Sequence, residues 1–412
     1  MKHPHLNFWV RLIFKFLNQI EVGTLEIQGP NGFIRRFGKD VAGITTKENN
    51  SAILIIRNWG VCRSIILHGD IAFGETYMDG LWDTPDLNQL LLVIGQNRRV
   101  LDSPIRGRKL ANVLNRIRHV LKKNTKQQAK DNIQAHYDLG NDFYQLWLDQ
   151  SMTYSSAIRR NSDGQLASSL EEAQQFKISR AITKLGQLND ESTTLEIGCG
   201  WGELSKIRLE TMSGKHVGIT LSQEQKEWAR KTLQVNGLNN RSSILLQDYR
   251  DVDEKFDGIV SIEMIEAVGK VYWETFFEMI KRSLKPNGRA VIQAITINDS
   301  LTEEYQTGVD FIQKYIFPGG MLMSQTQFET LAAKHKFNIL EKDSFGHDYA
   351  WTLLEWFKRF QTQWRQIEAL GFPIRFKRMW EFYLCYCRSG FLNRDVDVVQ
   401  YTICHYAKKP TI

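Results

Sequence analysis

The chain lacks any apolar run approaching the ~18 residues of a membrane-spanning helix, so a transmembrane protein is not expected. Cysteine is scarce: Cys62, Cys199, Cys385, Cys387 and Cys404 are all there are. None forms a CxxC pair, which argues against a secreted disulfide framework and against a thiolate zinc site. A reducing cytoplasm is the expected setting, and no metal is expected. Internal repeats and low-complexity stretches are missing too. Acidic residues are nearly absent from one stretch. Between Arg98 and Lys130 eleven basic residues face a single acid, Asp102, although the whole 412-residue chain carries only +7. Ile105, Leu110, Val113, Leu114, Ile117, Val120 and Leu121 recur there near helical spacing. Such a basic amphipathic helix binds anionic lipid surfaces or nucleic acid; a solvated linker helix is the alternative.

What the chain does contain is a globular composition, 42% hydrophobic and 24% charged, at a length that suggests about two or three domains. Residues Leu6 to Ile20 are almost all apolar or aromatic, with Asn7, Arg11, Lys15 and Asn18 on one helical face. The charges sit within the apolar stretch and not before it, unlike a signal peptide. An interfacial helix and a helix packed on the protein's own core both fit. Short β-rich runs follow at Gly23–Gln28, Ala52–Asn58 and Arg63–His68, then a helical pattern from Leu87 to Ile94. From Glu171 helical patterns alternate with apolar strands at Thr193–Ile197, Lys215–Ile219, Ser243–Leu246, Gly258–Ser261 and Arg289–Ile295, which predicts a parallel sheet with crossover helices. After Lys314 the tail is aromatic and helix-like.

The sharpest local feature is Leu195-Glu-Ile-Gly-Cys-Gly-Trp-Gly202, an apolar strand that turns through three alternating glycines into a helix. Glycines serve where the backbone takes positive φ or a ligand comes close. Ligands of open α/β sheets sit at such strand ends. The spacing around Gly198, Gly200 and Gly202 is GxGxG, not the GxGxxG of a dinucleotide site, and Glu196 precedes it. A pyrophosphate would be repelled there, whereas a ligand with an ammonium and a sulfonium would not. This points to S-adenosylmethionine. The second strand ends near Thr220, with Gln225 one turn on, for the ribose hydroxyls. Asp248 after the third strand can accept from an adenine amino group, and Tyr249 offers a stacking face.

Together these pieces resemble cyclopropane fatty acid synthases. The resemblance rests on His136-Tyr-Asp-Leu-Gly-Asn-Asp-Phe-Tyr144, Met152-Thr-Tyr-Ser-Ser-Ala157, the glycine turn, Gly218-Ile-Thr-Leu-Ser222, Leu245-Leu-Gln-Asp-Tyr-Arg250, Ser261-Ile-Glu-Met-Ile-Glu-Ala-Val-Gly269, Lys314-Tyr-Ile-Phe-Pro-Gly-Gly320 and Tyr383-Leu-Cys-Tyr-Cys-Arg388. It implies a Rossmann-like α/β methyltransferase sheet with a helical, aromatic-rich insert and tail, preceded by a small β-rich α+β domain. The implied division is 1–97 for the amphipathic helix and lipid-associated domain, 98–130 for the basic linker helix, and 131–412 for the catalytic domain. The implied reaction is attack of a cis double bond in a phospholipid acyl chain on the cofactor's methyl carbon, followed by proton loss and ring closure. The implied base is a bicarbonate ion held by Glu266, Tyr349, Gln293, Ile295 and Ser156, with Tyr137, Tyr154 and Ser155 helping to hold the cofactor. Cys387 matches a cysteine proposed as catalytic; a small buried core residue is the other reading. Ser156 stands where a cysteine is usual and Gln293 where a histidine is usual, which puts ring closure in question. A methyl- or methylene-branching relative, or a non-catalytic lipid-binding protein, therefore stays open. The expected partners are unsaturated phospholipid chains and an anionic membrane's inner face, approached from the cytoplasm. No nucleic acid is expected, and a homodimer is compatible.

Overall fold

The computed structural model describes residues 6–38, 50–102, 128 and 139–406. Tyr137, His136 and most of the basic stretch 98–130 lie outside the described residues. The chain divides into two compact units: Met1–Val120 with Thr307–Ile316 and Trp364–Asn393, and Leu121–Gln306 with Phe317–Gln363 and Arg394–Ile412. This differs from the linear division expected, because two segments from the second half of the sequence pack with the N-terminal one.

In the first unit β1 (Thr24–Gly29), β2 (Phe33–Gly38), β3 (Ser51–Ile56) and β4 (Trp82–Asp83) form a sheet in the order β2-β1-β3-β4. The helix Phe8–Leu17 starts at Asn7, whose side chain accepts from the Val10 N–H, the usual way to satisfy a first-turn donor. It buries Val10, Phe14 and Leu17. Phe14 stacks on Phe33 at 5.6 Å and meets Trp59 edge-on at 6.1 Å. Its apolar face thus covers its own unit, while Phe8 stays 67% exposed. Arg63–His68 is not a strand but part of the helix Gly60–Met78, kinked at Gly69 (φ 70°). A short run such as Ile65-Ile-Leu67 has no periodicity that separates strand from buried helix. Ser389 and Arg378, on the helix Ile374–Leu392, bond the Leu91 and Tyr77 carbonyls, which ties this late helix into the unit.

The second unit holds β5 (Thr193–Ile197), β6 (Lys215–Thr220), β7 (Ser242–Leu246), β8 (Phe256–Ile262), β9 (Leu284–Ile297), β10 (Met323–Ser324), β11 (Phe337–Ser344) and β12 (Val396–His405). Their order is β11-β12-β9-β8-β5-β6-β7, with β10 beside β9. From β9 to β7 every pairing is parallel, as the sequence predicts. The tail differs from expectation: it supplies β11 and β12, which extend the sheet antiparallel. Because β5 lies between β6 and β8, the chain leaves it in opposite directions and opens a crevice at the carboxyl ends of the strands. Apolar side chains such as Leu195, Ile259, Phe276 and Ile292 fill the core beneath.

Candidate active site

The turn after β5 carries Gly198, Gly200 and Gly202 at φ 80°, 49° and 91°, all left-handed. At Gly202 a Cβ would lie 2.8 Å from the Ala229 Cβ, so this glycine lets two helices approach. At Gly200 a Cβ would meet no protein atom within 4 Å; there the glycine leaves room beside an open strand end. Trp201 donates through Nε1 to Asn141 Oδ1 at 2.7 Å, and its ring lies 5.2 Å from Tyr144. Asn141 and Tyr144 are thereby fastened to the glycine turn.

The other expected cofactor residues fall on the same rim with mixed availability. Glu196 is buried, its Oε2 accepting from the Ser205 hydroxyl at 2.5 Å and lying 3.2 Å from His216 Nε2. Thr220 donates to Gln225 Oε1 at 2.8 Å, pairing the two residues expected to face the ribose. Both Asp248 oxygens are taken by Arg250 (2.8 and 2.7 Å). Tyr249 turns its ring into the core, edge-on to Phe276 at 5.7 Å, and so packs where a stacking face was expected. Ser155 accepts from the fully buried Lys177 ammonium at 2.6 Å. An open Cβ position at the left-handed Gly200, at the end of β5, leaves room for a ligand such as S-adenosylmethionine.

Three of the five residues expected to hold bicarbonate converge around a side chain the sequence reading passed over. Glu263, directly after β8, is buried. Its Oε1 accepts from the Ser156 backbone N–H at 2.9 Å and from Gln293 Nε2 at 2.7 Å, and its Oε2 accepts from the Tyr349 hydroxyl at 2.8 Å. Gln293 is held in this orientation, because its Oε1 accepts from Gln400 Nε2 (3.2 Å), whose own Oε1 accepts from Arg180 Nε (3.2 Å). Glu266 lies close in sequence but bonds elsewhere: its Oε1 accepts from the Ile295 N–H at 2.5 Å, and Oε2 is buried without a partner among the described residues. The Ser156 hydroxyl donates to Ala157 O, so its contact with Glu263 is through the backbone. An aromatic wall stands nearby in sequence and space: Tyr154 packs against Tyr144, Trp147 and Trp356 at 5.3–5.6 Å, and Tyr349 meets Trp356 edge-on. Cys387 is not among these residues. It lies on Ile374–Leu392 in the first unit, where burial pushes its thiol far above the ordinary range, as in a packing cysteine.

Burial, and then the charge of Glu263, push the Glu266 carboxyl from an ordinary value of 4.5 up to about 8. Burial also raises Glu263, opposed first by the Lys177 ammonium and then by the three donors. Glu266 is therefore mostly protonated at neutral pH. Its folded value lies above its unfolded one, so its contribution to stability is full below about pH 4.5 and is lost as pH rises through about 8. Melting temperature is expected to fall between about pH 5 and 8, and Glu266→Gln should flatten that fall. Thermal scans of the two proteins running parallel over this range would remove the assignment.

A family model described as mycolic acid cyclopropane synthetase matches residues 124–401. The chain is 37% identical, over 85% of its length and 83% of the relative, to the tuberculostearic acid methyltransferase UfaA1 of Mycobacterium tuberculosis. It is 34% identical, over 87% of its length and 89% of the relative, to the cyclopropane-fatty-acyl-phospholipid synthase of Escherichia coli K12. The crystal structure of mycolic acid cyclopropane synthase CmaA1 complexed with SAH and CTAB superposes with a TM-score of 0.61 at 33% identity, covering 66% of this chain and 97% of that one.

Proposed function

Because the chain belongs to the mycolic acid cyclopropane synthetase family of S-adenosylmethionine-dependent methyltransferases, we propose that it methylates the cis double bond of unsaturated phospholipid acyl chains and closes a cyclopropane ring. The observation that carries this reading is one rim that joins the glycine turn, a buried carboxylate and the aromatic wall. When bound, the cofactor offers an electrophilic methyl carbon that takes the substrate's π pair while the C–S pair returns to sulfur, leaving a carbocation on the acyl chain. Tyr154, Trp147 and Trp356 present ring faces that stabilise positive charge, and their packing keeps out water that would capture the cation. A phospholipid substrate is supported by the name of the E. coli relative. It is supported also by the basic stretch 98–130, suited to peripheral docking at about 1 kcal/mol per basic residue near an anionic surface. The region 131–412 is the catalytic part in this reading.

Glu263, Ser156 and Gln293 favour one second reading, in which the proton leaves a neighbouring chain carbon and a methyl-branched chain that keeps a double bond results. Both products add one CH2, so mass alone does not separate them. Lipid mass spectrometry of a host expressing the gene, before and after hydrogenation, is expected to show acyl chains heavier by CH2 that resist hydrogenation. Heavier chains that take up hydrogen would instead establish the branched product, and unchanged chains would sink both readings.

A further inference from the structure

The expected bicarbonate does not fit this chain, because its ligands are already engaged by a side chain. We infer that the Glu263 carboxylate is itself the proton acceptor of the reaction, a fixed replacement for the free anion. The inference rests on the methyl-transfer reading above and names its base.

Three observations carry it. Ser156 N–H, Gln293 Nε2 and the Tyr349 hydroxyl, three of the five groups the family resemblance assigns to bicarbonate, all donate to Glu263 at 2.7–2.9 Å. Two oxygens on a planar carbon, receiving three donors, present the same face to them whether the anion is free or tethered. Second, Glu263 stands at φ 50°, in the left-handed region that disfavours every residue but glycine and a few short polar ones. Its amide is nonetheless fixed, donating to Gln293 O at 2.8 Å. A backbone shaped for glycine that carries a glutamate is a strain retained where function over-determines it. Third, a cation faces the carboxylate: the buried Lys177 acts on it most strongly among its neighbours, while Glu266 next along the chain is held mostly neutral. Lys177 thus works against the burial of Glu263, while the charge of Glu263 adds to the burial of Glu266.

The step balances without a co-reactant. A C–H bond of the transferred methyl group breaks, its electron pair closes the new C–C bond to the cationic carbon, and the proton passes to a Glu263 oxygen. Solvent then takes that proton when product leaves. A tethered base has no dissociation constant to satisfy, so turnover does not depend on dissolved carbon dioxide.

The test compares wild type, Glu263→Gly and Glu263→Gln in carbonate-depleted buffer and with added millimolar bicarbonate. Titration calorimetry of bicarbonate into each protein with cofactor present supplies a readout besides activity. Wild type is expected to turn over equally in both buffers and to bind no bicarbonate. Glu263→Gly relieves the backbone and so folds; it should lose at least about a hundredfold in rate, the usual size for acid–base work, then bind bicarbonate and recover with it. Glu263→Gln fills the seat without a base and should stay slow in both buffers. Wild type that needs bicarbonate, a glycine variant that keeps its rate without it, or one that is slow and neither binds nor responds to bicarbonate, would each overturn the inference. If the glycine variant fails to fold, wild-type independence and the glutamine variant still decide it. Failure of the methyl-transfer reading looks different: wild type would then convert no acyl chain in any buffer.

Discussion

Gly200→Val is expected to abolish S-adenosylmethionine binding in a protein that still folds. At φ 49° a β-branched residue is strained by roughly 1–2 kcal/mol, a cost that a chain of this size tolerates. The added side chain meets no protein atom within 4 Å of its Cβ, so the fold does not resist it. What it does occupy is the space at the end of β5, where a ligand of an open α/β sheet must sit. Gly202→Val makes the control, because its Cβ would strike Ala229 at 2.8 Å and the damage should fall on stability. Calorimetry is expected to show affinity reduced at least about a hundredfold for the Gly200 variant, some 3 kcal/mol, with circular dichroism unchanged. Near-normal affinity in a folded Gly200 variant would move the cofactor away from this turn.

The strands around that turn were legible because each is an apolar run bounded by glycine, asparagine or charge. Thr193–Ile197 is observed with those very bounds, and Lys215–Ile219 gains only Thr220. The edge strands were not, and their composition explains why. Phe337–Ser344 is more than half charged or polar, and Val396–His405 lies in an aromatic tail whose local preference is ambiguous. Among the site residues, the motifs pointed to Ser156, Gln293, Ile295, Tyr349 and Glu266 but not to Glu263, to which three of these five donate. Glu263 finds its partners 30, 86 and 107 residues away. No local pattern announces such a contact, and its left-handed φ is invisible until the strand end is built. Asp248 could have been read better: an arginine two residues on is within reach of its carboxylate without any tertiary contact. Lys177, between Phe176 and Ile178, gave no sign either, since a lysine is almost never fully buried unless it is paired.

Lys177→Met is expected to cost about 3 kcal/mol of stability, because removing one partner of a buried charge pair leaves the other uncompensated. Lys177 is 1% exposed, donates to Ser155 at 2.6 Å, and is attracted in turn to Glu263, Asp149 and Glu196. Burial lowers its own pKa to about 8, so it is mostly charged at neutral pH and opposes the upward push of burial on Glu263. Methionine matches its length and apolar stem, which confines the change to charge. In its absence Glu263 escapes the unpaired state only by taking a proton. Its pKa should therefore rise further, and the stability deficit should be smaller at about pH 6 than at about pH 8. The same sign governs catalysis: a base with a higher pKa is switched off sooner on acidification, so the acid limb of the turnover profile should move to higher pH. A surface lysine with no such role would shift neither quantity. Thermal unfolding at the two pH values, with the pH profile of turnover, tests both at once. A deficit below ~1 kcal/mol together with an unmoved acid limb would mean that Lys177 does not set the charge of Glu263 and that the three hydrogen-bond donors suffice to keep it ionised.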